Sequence, residues 1–257
     1  MQKRHRDHRQ YFDELSRSTE KYLLPFLEEH FPISPGMRVL EVGCGAGGNL
    51  LPFLHKGCRV AGIDLSAGKI DAARERLGNR PDAELKAGNF FDLEPGTTRY
   101  DLIFIRDVIE HISDKDAFLK HVRKFLAPGG HVLVIFPAWQ MPFGGHQQIC
   151  RNGMLSRLPF FHLLPAFLYR GLLWLGKESP ATVEELLDIK RCGLTVERFR
   201  KKAAQHGFRL LKERLYFINP HYEIKFGLKP RLLAPVPGKI PGLRNFFTTS
   251  AWYLLAG

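Results

Sequence analysis

At 257 residues with 44% hydrophobic residues, the chain is long enough to bury the full core of one α/β domain. No run of about 20 apolar residues spans a bilayer, and Met1-Gln2-Lys3-Arg4-His5-Arg6 lacks the apolar stretch of a signal peptide, so a cytoplasmic protein without a transmembrane helix is expected. The net charge of +12 is uneven: residues 34–137 carry 14 Lys and Arg against 13 Asp and Glu, residues 186–245 carry 14 against 4, and the excess points to an anionic partner of the C-terminal part.

In chain order, residues 7–31 place Tyr11, Phe12, Leu15, Tyr22, Leu23, Phe26 and Leu27 among charges at a helical period broken by Pro25, predicting one or two helices. Arg38-Val39-Leu40-Glu41-Val42 reads as a buried strand that runs into Gly43-Cys44-Gly45-Ala46-Gly47-Gly48. Glycine there lets the backbone approach a ligand without a Cβ, and a helix predicted from Ala46 to His55 opens with unpaired N–H groups at the same spot. A second strand, Arg59 to Ile63, ends at Asp64, whose carboxylate lies where it can accept from both hydroxyls of a ribose. Gly43, Gly45 and Gly48 also satisfy the GxGxxG spacing of dinucleotide enzymes, so the spacing alone leaves a nicotinamide or flavin open.

Ser66 caps a predicted helix reaching Leu77, and a third strand, about Ala83 to Ala87, leads into Gly88-Asn89-Phe90. Tyr100 to Ile105 is almost continuously apolar, as a central parallel strand requires, and delivers Arg106, Asp107 and Val108 to the cleft edge. Asp114 caps the next helix, the turn Ala127-Pro128-Gly129-Gly130 ends it, and His131 to Phe136 is a fifth strand. Further on, helices are predicted over Thr182 to Asp188 and Thr195 to His206, and strands over Phe208 to Ile218 and Phe246 to Leu255. The four cysteines, Cys44, Cys58, Cys150 and Cys192, show neither a CxxC pair nor metal-ligand spacing, so reduced thiols are expected and no metal.

This series resembles the class I S-adenosylmethionine-dependent methyltransferases, whose first motif is an acidic residue, any residue, then Gly-x-Gly-x-Gly. Glu41, Gly43, Gly45 and Gly47 match it, followed by Gly62-Ile63-Asp64-Leu65-Ser66, Gly88-Asn89-Phe90-Phe91-Asp92, Tyr100-Asp101-Leu102-Ile103, Val108-Ile109-Glu110-His111-Ile112 and Leu126-Ala127-Pro128-Gly129-Gly130. The resemblance covers residues 34–137. It implies an α/β fold with a seven-stranded, doubly wound Rossmann-like sheet in the order 3-2-1-4-5-7-6, the last strand antiparallel. It further implies S-adenosyl-L-methionine as cofactor, S-adenosyl-L-homocysteine as product, and contacts from Glu41, Gly43, Cys44, Gly45, Asp64, Leu65, Asn89, Phe90 and Arg106. Asn89 stands where the family usually has an acid that reads adenine, a departure its amide oxygen can partly cover. Tyr11, on an N-terminal helix that in the family closes over the cofactor, is a further candidate contact.

The chain is read as one methyltransferase domain: N-terminal helices over 1–33, a cofactor-binding core over 34–137, an acceptor-site insertion over 138–180, and a C-terminal part over 181–257 with a basic insertion at 219–245. Family members build the acceptor pocket after the fifth strand, here Pro137-Ala138-Trp139-Gln140-Met141-Pro142-Phe143-Gly144-Gly145-His146-Gln147. Methyl transfer is an in-line displacement that needs no covalent nucleophile, but an oxygen or protonated amine acceptor needs a base. His146 is the first candidate, His111 the second and His221 the third. Leu158 to Leu175 is apolar but broken by Pro159, His162, Pro165 and Arg170, which suits a lid or interfacial helix. Beside Lys225, Lys229, Arg231, Lys239 and Arg244, it suggests a small-molecule or amphiphilic anionic acceptor, with peripheral membrane contact as one way of meeting it. Nucleic acid ranks lower, because the basic stretch carries no recognition motif. A binding module without turnover and an NAD-dependent oxidoreductase are the competing readings; the oligomeric state is left open.

Overall fold

The computed structural model describes residues 8–78 and 80–257. The helices expected ahead of residue 33 are α1 (His8–Ser18) and α2 (Leu24–Glu28), joined by a π-helical turn over Thr19–Leu23; residues 1–7 of that expectation lie outside the described residues. Pro25 sits in the first turn of α2, where its missing N–H costs nothing, so the chain passes it with a widened turn rather than a break.

The core alternates β1 (Arg38–Val42), α3 (Leu50–His55), β2 (Arg59–Asp64), α4 (Ala67–Leu77), β3 (Ala83–Ala87), β4 (Tyr100–Arg106), α5 (Lys115–Phe125) and β5 (Leu126–Phe136). After the insertion come α6 (Ala166–Leu175), α7 (Pro180–Cys192), α8 (Val196–Gln205), β6 (Arg209–Ile218), α9 (His221–Phe226), β7 (Arg231–Leu232), α10 (Pro235–Lys239), α11 (Arg244–Phe247) and β8 (Ser250–Ala256). The sheet runs β3-β2-β1-β4-β5-β8-β6-β7. Strands β1 to β5 pair in parallel, and β8 enters antiparallel between β5 and β6. The expected order therefore holds, with one edge strand added: Arg231–Leu232 of the basic insertion pairs antiparallel with β6.

Side-chain alternation along β4 explains the double winding. Leu102 and Phe104 point into one apolar cluster with Phe26, Leu50, Phe53 and Trp252, whereas Ile103 and Ile105 point into the other with Phe118, Val122, Phe199 and Tyr253. The insertion has its own cluster, in which Phe161, Tyr169 and Leu173 pack on Val183, Leu186 and Leu187 of α7.

Several boundaries differ from the sequence expectation. Helix α3 starts at Leu50 rather than Ala46, because Gly45 and Gly47 hold φ of +55° and +82° and the chain stays in turns until Asn49. Helix α7 is 13 residues long instead of spanning Thr182 to Asp188, since Ser179 accepts the N–H of Thr182 and Pro180 pre-sets the first turn. The last strand starts at Ser250 rather than Phe246, because Arg244 and Asn245 are drawn into α11 by Glu197. Residues 127–130, expected as a turn, fall inside β5 as an irregularity: Tyr100 lies opposite Leu126 but Leu102 opposite His131, and Gly129 has φ of +73°.

Helix α1 is pressed onto the glycine segment: a Cβ on Gly48 would lie 2.5 Å from the carbonyl oxygen of Phe12. Gly48→Ala is expected to lower stability by about 1–3 kcal/mol through overpacking against backbone that cannot rotate away, read as a drop in the urea midpoint.

Candidate active site

The site is built on the ends of β1, β2 and β4. Gly43 and Cys44 donate their N–H groups to Ile63 O at 2.7 and 3.1 Å, which seats the glycine turn on the end of β2. Asp64 completes the junction: one carboxylate oxygen accepts from Gly45 N and the other from Ser66 N, both at 2.9 Å. Ser66 in turn caps α4 by accepting from Lys69 N. A Cβ on Gly43 would strike Val108 Cγ2 at 2.3 Å, whereas one on Gly45, at φ +55°, would meet nothing within 4 Å. Gly43 is thus needed for close packing of the protein on itself, and Gly45 keeps open space in front of the turn.

Beside the turn lies a cleft of about 370 Å³, lined by Gly43 though not by Gly45. Of the cofactor contacts expected from sequence, Gly43, Asp64, Leu65, Asn89 and Phe90 line it. Leu65 is 78% exposed there, a large apolar side chain left waiting for a flat ligand face. Asn89 uses its side-chain oxygen to accept Phe91 N at 3.1 Å, which leaves the amide nitrogen, a donor, to face a ligand. Asp107 and Val108, expected at the cleft edge, line it too, as do Ser66, Lys69, Ile112 and Phe118, which were not named as contacts from sequence; only the fold brings α5 against the glycine turn.

Glu41, Cys44 and Arg106 sit behind this wall rather than in it. Glu41 is 1% exposed and accepts from Asn49 Nδ2 at 2.6 Å; Asn49 Oδ1 accepts from Arg106 at 3.1 Å and from Thr19 Oγ1 at 2.8 Å. The second Glu41 oxygen has no protein partner, and burial pushes this carboxyl up to about 8 against the lowering influence of Asn49 and Arg106. The motif acid is thus a buried, largely protonated strut at neutral pH. Cys44 is buried, its thiol raised by desolvation, so it contributes backbone and packing.

The two histidines put forward as bases meet at one end of the cleft. His111 lines it, and His146 lies edge-on to His111 with ring centroids 4.7 Å apart. Burial, with His162 adding to it, lowers His146 to about 4, and His111 is shifted the same way by desolvation and by His146. Both imidazoles are neutral at pH 7. Potential ligand atoms of Glu110, His111 and His146 lie within 4.8 Å of one another, and both Glu110 oxygens are buried without a protein partner. A carboxylate with two neutral imidazoles has the chemistry to hold a divalent cation, an arrangement that linear spacing could not reveal because His146 comes from a distant loop. His221, the third candidate, packs edge-on to Tyr11 at 6.4 Å and is depressed to about 3, first by burial and then by Arg106 and Lys225. Tyr11 is thus packed on His221 near Asp107, Arg106 and Glu41, and burial raises it to about 12.

His146 has φ of +55°, in the left-handed region that costs a non-glycine residue about 1–3 kcal/mol, so its position is held by its surroundings. The next residue, Gln147, donates to Pro142 O at 2.8 Å and Leu158 O at 3.3 Å and faces His162 Nδ1 at 3.3 Å. His162, fully buried, bonds Trp139 O through Nε2 at 2.8 Å. With the proton on Nε2, Nδ1 is free to accept from Gln147, which requires the neutral ring; burial depresses His162 to about 4.

Two expectations follow from this geometry. Gly45→Val should fold but lose S-adenosylmethionine affinity at least tenfold by calorimetry, since the branched side chain fills the open space before the turn. For His162 the unfolded ring protonates near pH 6.5 while the folded one resists until about 4, so its stabilising share is complete above pH 6.5 and lost as pH falls toward 4. The stability gap between wild type and His162→Gln, measured by urea unfolding, should therefore narrow steadily across that window.

Residues 40–132 match the family described as methyltransferase domain. Among curated relatives, phosphoethanolamine N-methyltransferase 1 of Arabidopsis thaliana is 38% identical over 108 residues, covering 41% of this chain and 22% of that protein. Ubiquinone biosynthesis O-methyltransferase of Bradyrhizobium sp. (strain ORS 278) is 34% identical over 100 residues, covering 38% of this chain and 39% of the relative. The chain thus aligns with well under half the length of either. Among solved structures, an S-adenosylmethionine dependent methyltransferase from Mesorhizobium loti superposes with a TM-score of 0.56 at 17% identity, over 91% of this chain and 96% of that one. Haemonchus contortus phosphoethanolamine N-methyltransferase 2, in complex with S-adenosyl-L-methionine, gives 0.56 at 17% identity over 91% and 51%. The glycine turn locked to Asp64 and the cleft beside it thus lie within a matched methyltransferase domain, and the fold is the one shared by the solved S-adenosylmethionine-dependent methyltransferases.

Proposed function

We propose that this protein methylates an oxygen or nitrogen atom of a small, amphiphilic acceptor that carries an anionic group. The observation that carries the reading is the pairing of His146, from the loop after β5, with His111 on the cleft wall at 4.7 Å. It puts two neutral proton acceptors where an acceptor entering from the C-terminal side meets the cofactor cleft. Bound S-adenosylmethionine supplies an electrophilic methyl group. Asp64, through lone pairs not used by Gly45 and Ser66, would hold the ribose, and the Asn89 amide nitrogen would donate to the adenine rather than accept from it. The hydrogen bonds these side chains already make leave those atoms available and so support both roles.

The acceptor side supports the rest. Lys225 and the buried Arg106, the latter already paired with Asp107, lie near enough to His221 to depress it, and the half-buried Lys225 favours an anionic substituent there. Arg244, counted from sequence among the available cations, is withdrawn from that role: it is 7% exposed and paired with Glu197 at 2.6 Å. The exposed Lys229, Arg231 and Lys239 retain it. The relatives are named for N-methylation of phosphoethanolamine and for O-methylation in ubiquinone biosynthesis, so both atom types stay within the proposal.

His146→Ala is expected to lower kcat by about 10²- to 10⁴-fold while leaving S-adenosylhomocysteine affinity unchanged. Because the base must be neutral, wild-type turnover should hold through the neutral range and fall as pH drops through about 4. Cofactor binding without turnover on phosphorylated amines or on phenols would favour the non-catalytic reading. Calorimetric binding of NAD in preference to S-adenosylhomocysteine would overturn the family's cofactor for this cleft.

A further inference from the structure

Helix α6 poses a packing problem that the methyl-transfer reading does not solve. One face, Tyr169 and Leu173, is fully buried against α7. The opposite face is apolar as well: Phe167, Leu168, Trp174 and Leu175 are 74%, 47%, 49% and 80% exposed. Their spacing of i, i+1, i+7 and i+8 puts them on one stripe of the helix, with Gly171 between. A helix apolar all round belongs inside a core or against a second apolar phase, yet α6 has a core on one side only. Met154, 78% exposed, and Phe160, 40% exposed, are further apolar side chains open to solvent in the same insertion, and Phe160 approaches Phe246 of the basic insertion at 6.4 Å.

Charge decides what covers this stripe. Residues 151–177 contain Arg151, Arg157, Arg170 and Lys177 and not one Asp or Glu. The next acid, Glu178, is buried and spends both oxygens on the N–H groups of Arg151 and Asn152. Arg170 pairs with Glu184 at 3.4 Å, which leaves Arg151, Arg157 and Lys177 exposed. A two-fold contact with a second copy would set this stretch, basic apart from Glu184, Glu185 and Asp188 exposed on the adjoining α7, against itself. A bilayer carrying anionic headgroups accepts both features at once, the apolar stripe at the acyl boundary and the cations among the phosphates. Trp174 at such a depth is the usual place for an indole with one wet edge.

We infer that the exposed face of α6, with its basic flanks, docks the protein onto an anionic lipid bilayer, lying in the headgroup region without crossing it. Among the described residues no helix is long and apolar enough to cross. The inference goes beyond the methyl-transfer reading and does not depend on it, since binding is measured without cofactor or acceptor.

The test is co-flotation of the full chain with vesicles of phosphatidylcholine alone and of phosphatidylcholine mixed with phosphatidylglycerol. Binding to the mixed vesicles is expected, with little to the neutral ones and weakening at high salt. The emission of Trp174 should shift to the blue on binding, because Trp252 is already buried and Trp139 half-buried. Phe167→Ser with Trp174→Ser should cut the partition at least tenfold while the melting temperature and S-adenosylhomocysteine affinity stay unchanged. Absence of binding to the mixed vesicles would overturn the inference, as would binding that the double variant retains. So would a stable dimer in free solution that the double variant dissociates, since a second copy would then be the occupant.

Discussion

One carboxylate ties the cofactor half of this protein together. Asp64 takes N–H groups from the turn after β1 and from the start of α4, so the glycine turn, the end of β2 and the next helix share a single anchor. Hydrogen bonds to a charged acceptor contribute about 1.5–3 kcal/mol each, enough to hold three glycines in left-handed conformations without crystallising the turn around any side chain of its own. Behind the turn a second tie runs Thr19–Asn49–Glu41 and Asn49–Arg106, linking the N-terminal π-helical turn, the glycine segment, β1 and β4. The guanidinium of Arg106 is tolerated inside because Asn49 and Asp107 surround it, the latter with its carboxylate 3.6 Å away. Glu41 is correspondingly pushed toward its neutral form by the same burial.

The part legible in the sequence is the part governed by local rules. Strand periodicity, caps at Ser66, Asp114 and Thr195, and the glycine series all depend on neighbours within a few residues, and all stand in the structure. What escaped depends on distant partners. Pairing of Arg231–Leu232 with β6 has no strand signature of its own in two residues. Helix α11 exists because Glu197 collects Arg244, Asn245 and the Gly242 N–H. The role of Glu41 was readable as a motif position but not as a buried strut, since only its exposure and its contact with Asn49 distinguish the two. In the same way His146 was readable as a base on a loop, whereas its meeting with His111 and Glu110 required the loop to fold back over the end of β4.

Gly48, the third glycine of the GxGxxG spacing, packs against the backbone of Phe12, and the helix that follows is only six residues long. The cleft lies beside Gly43, toward Asp64 and Leu65.

Both insertions leave the sheet after the strands that carry the cofactor contacts, and the insertion after β5 brings its own apolar cluster on α7. Substitutions in that cluster or on its surface therefore leave the Asp64 anchor and the strut behind it untouched. The matched domain ends at residue 132, just before the first insertion begins. The two parts rest on separate apolar clusters, so the insertion is free to drift while the glycine turn stays under the narrow tolerances set by Gly43 and Gly48, where a Cβ has no room.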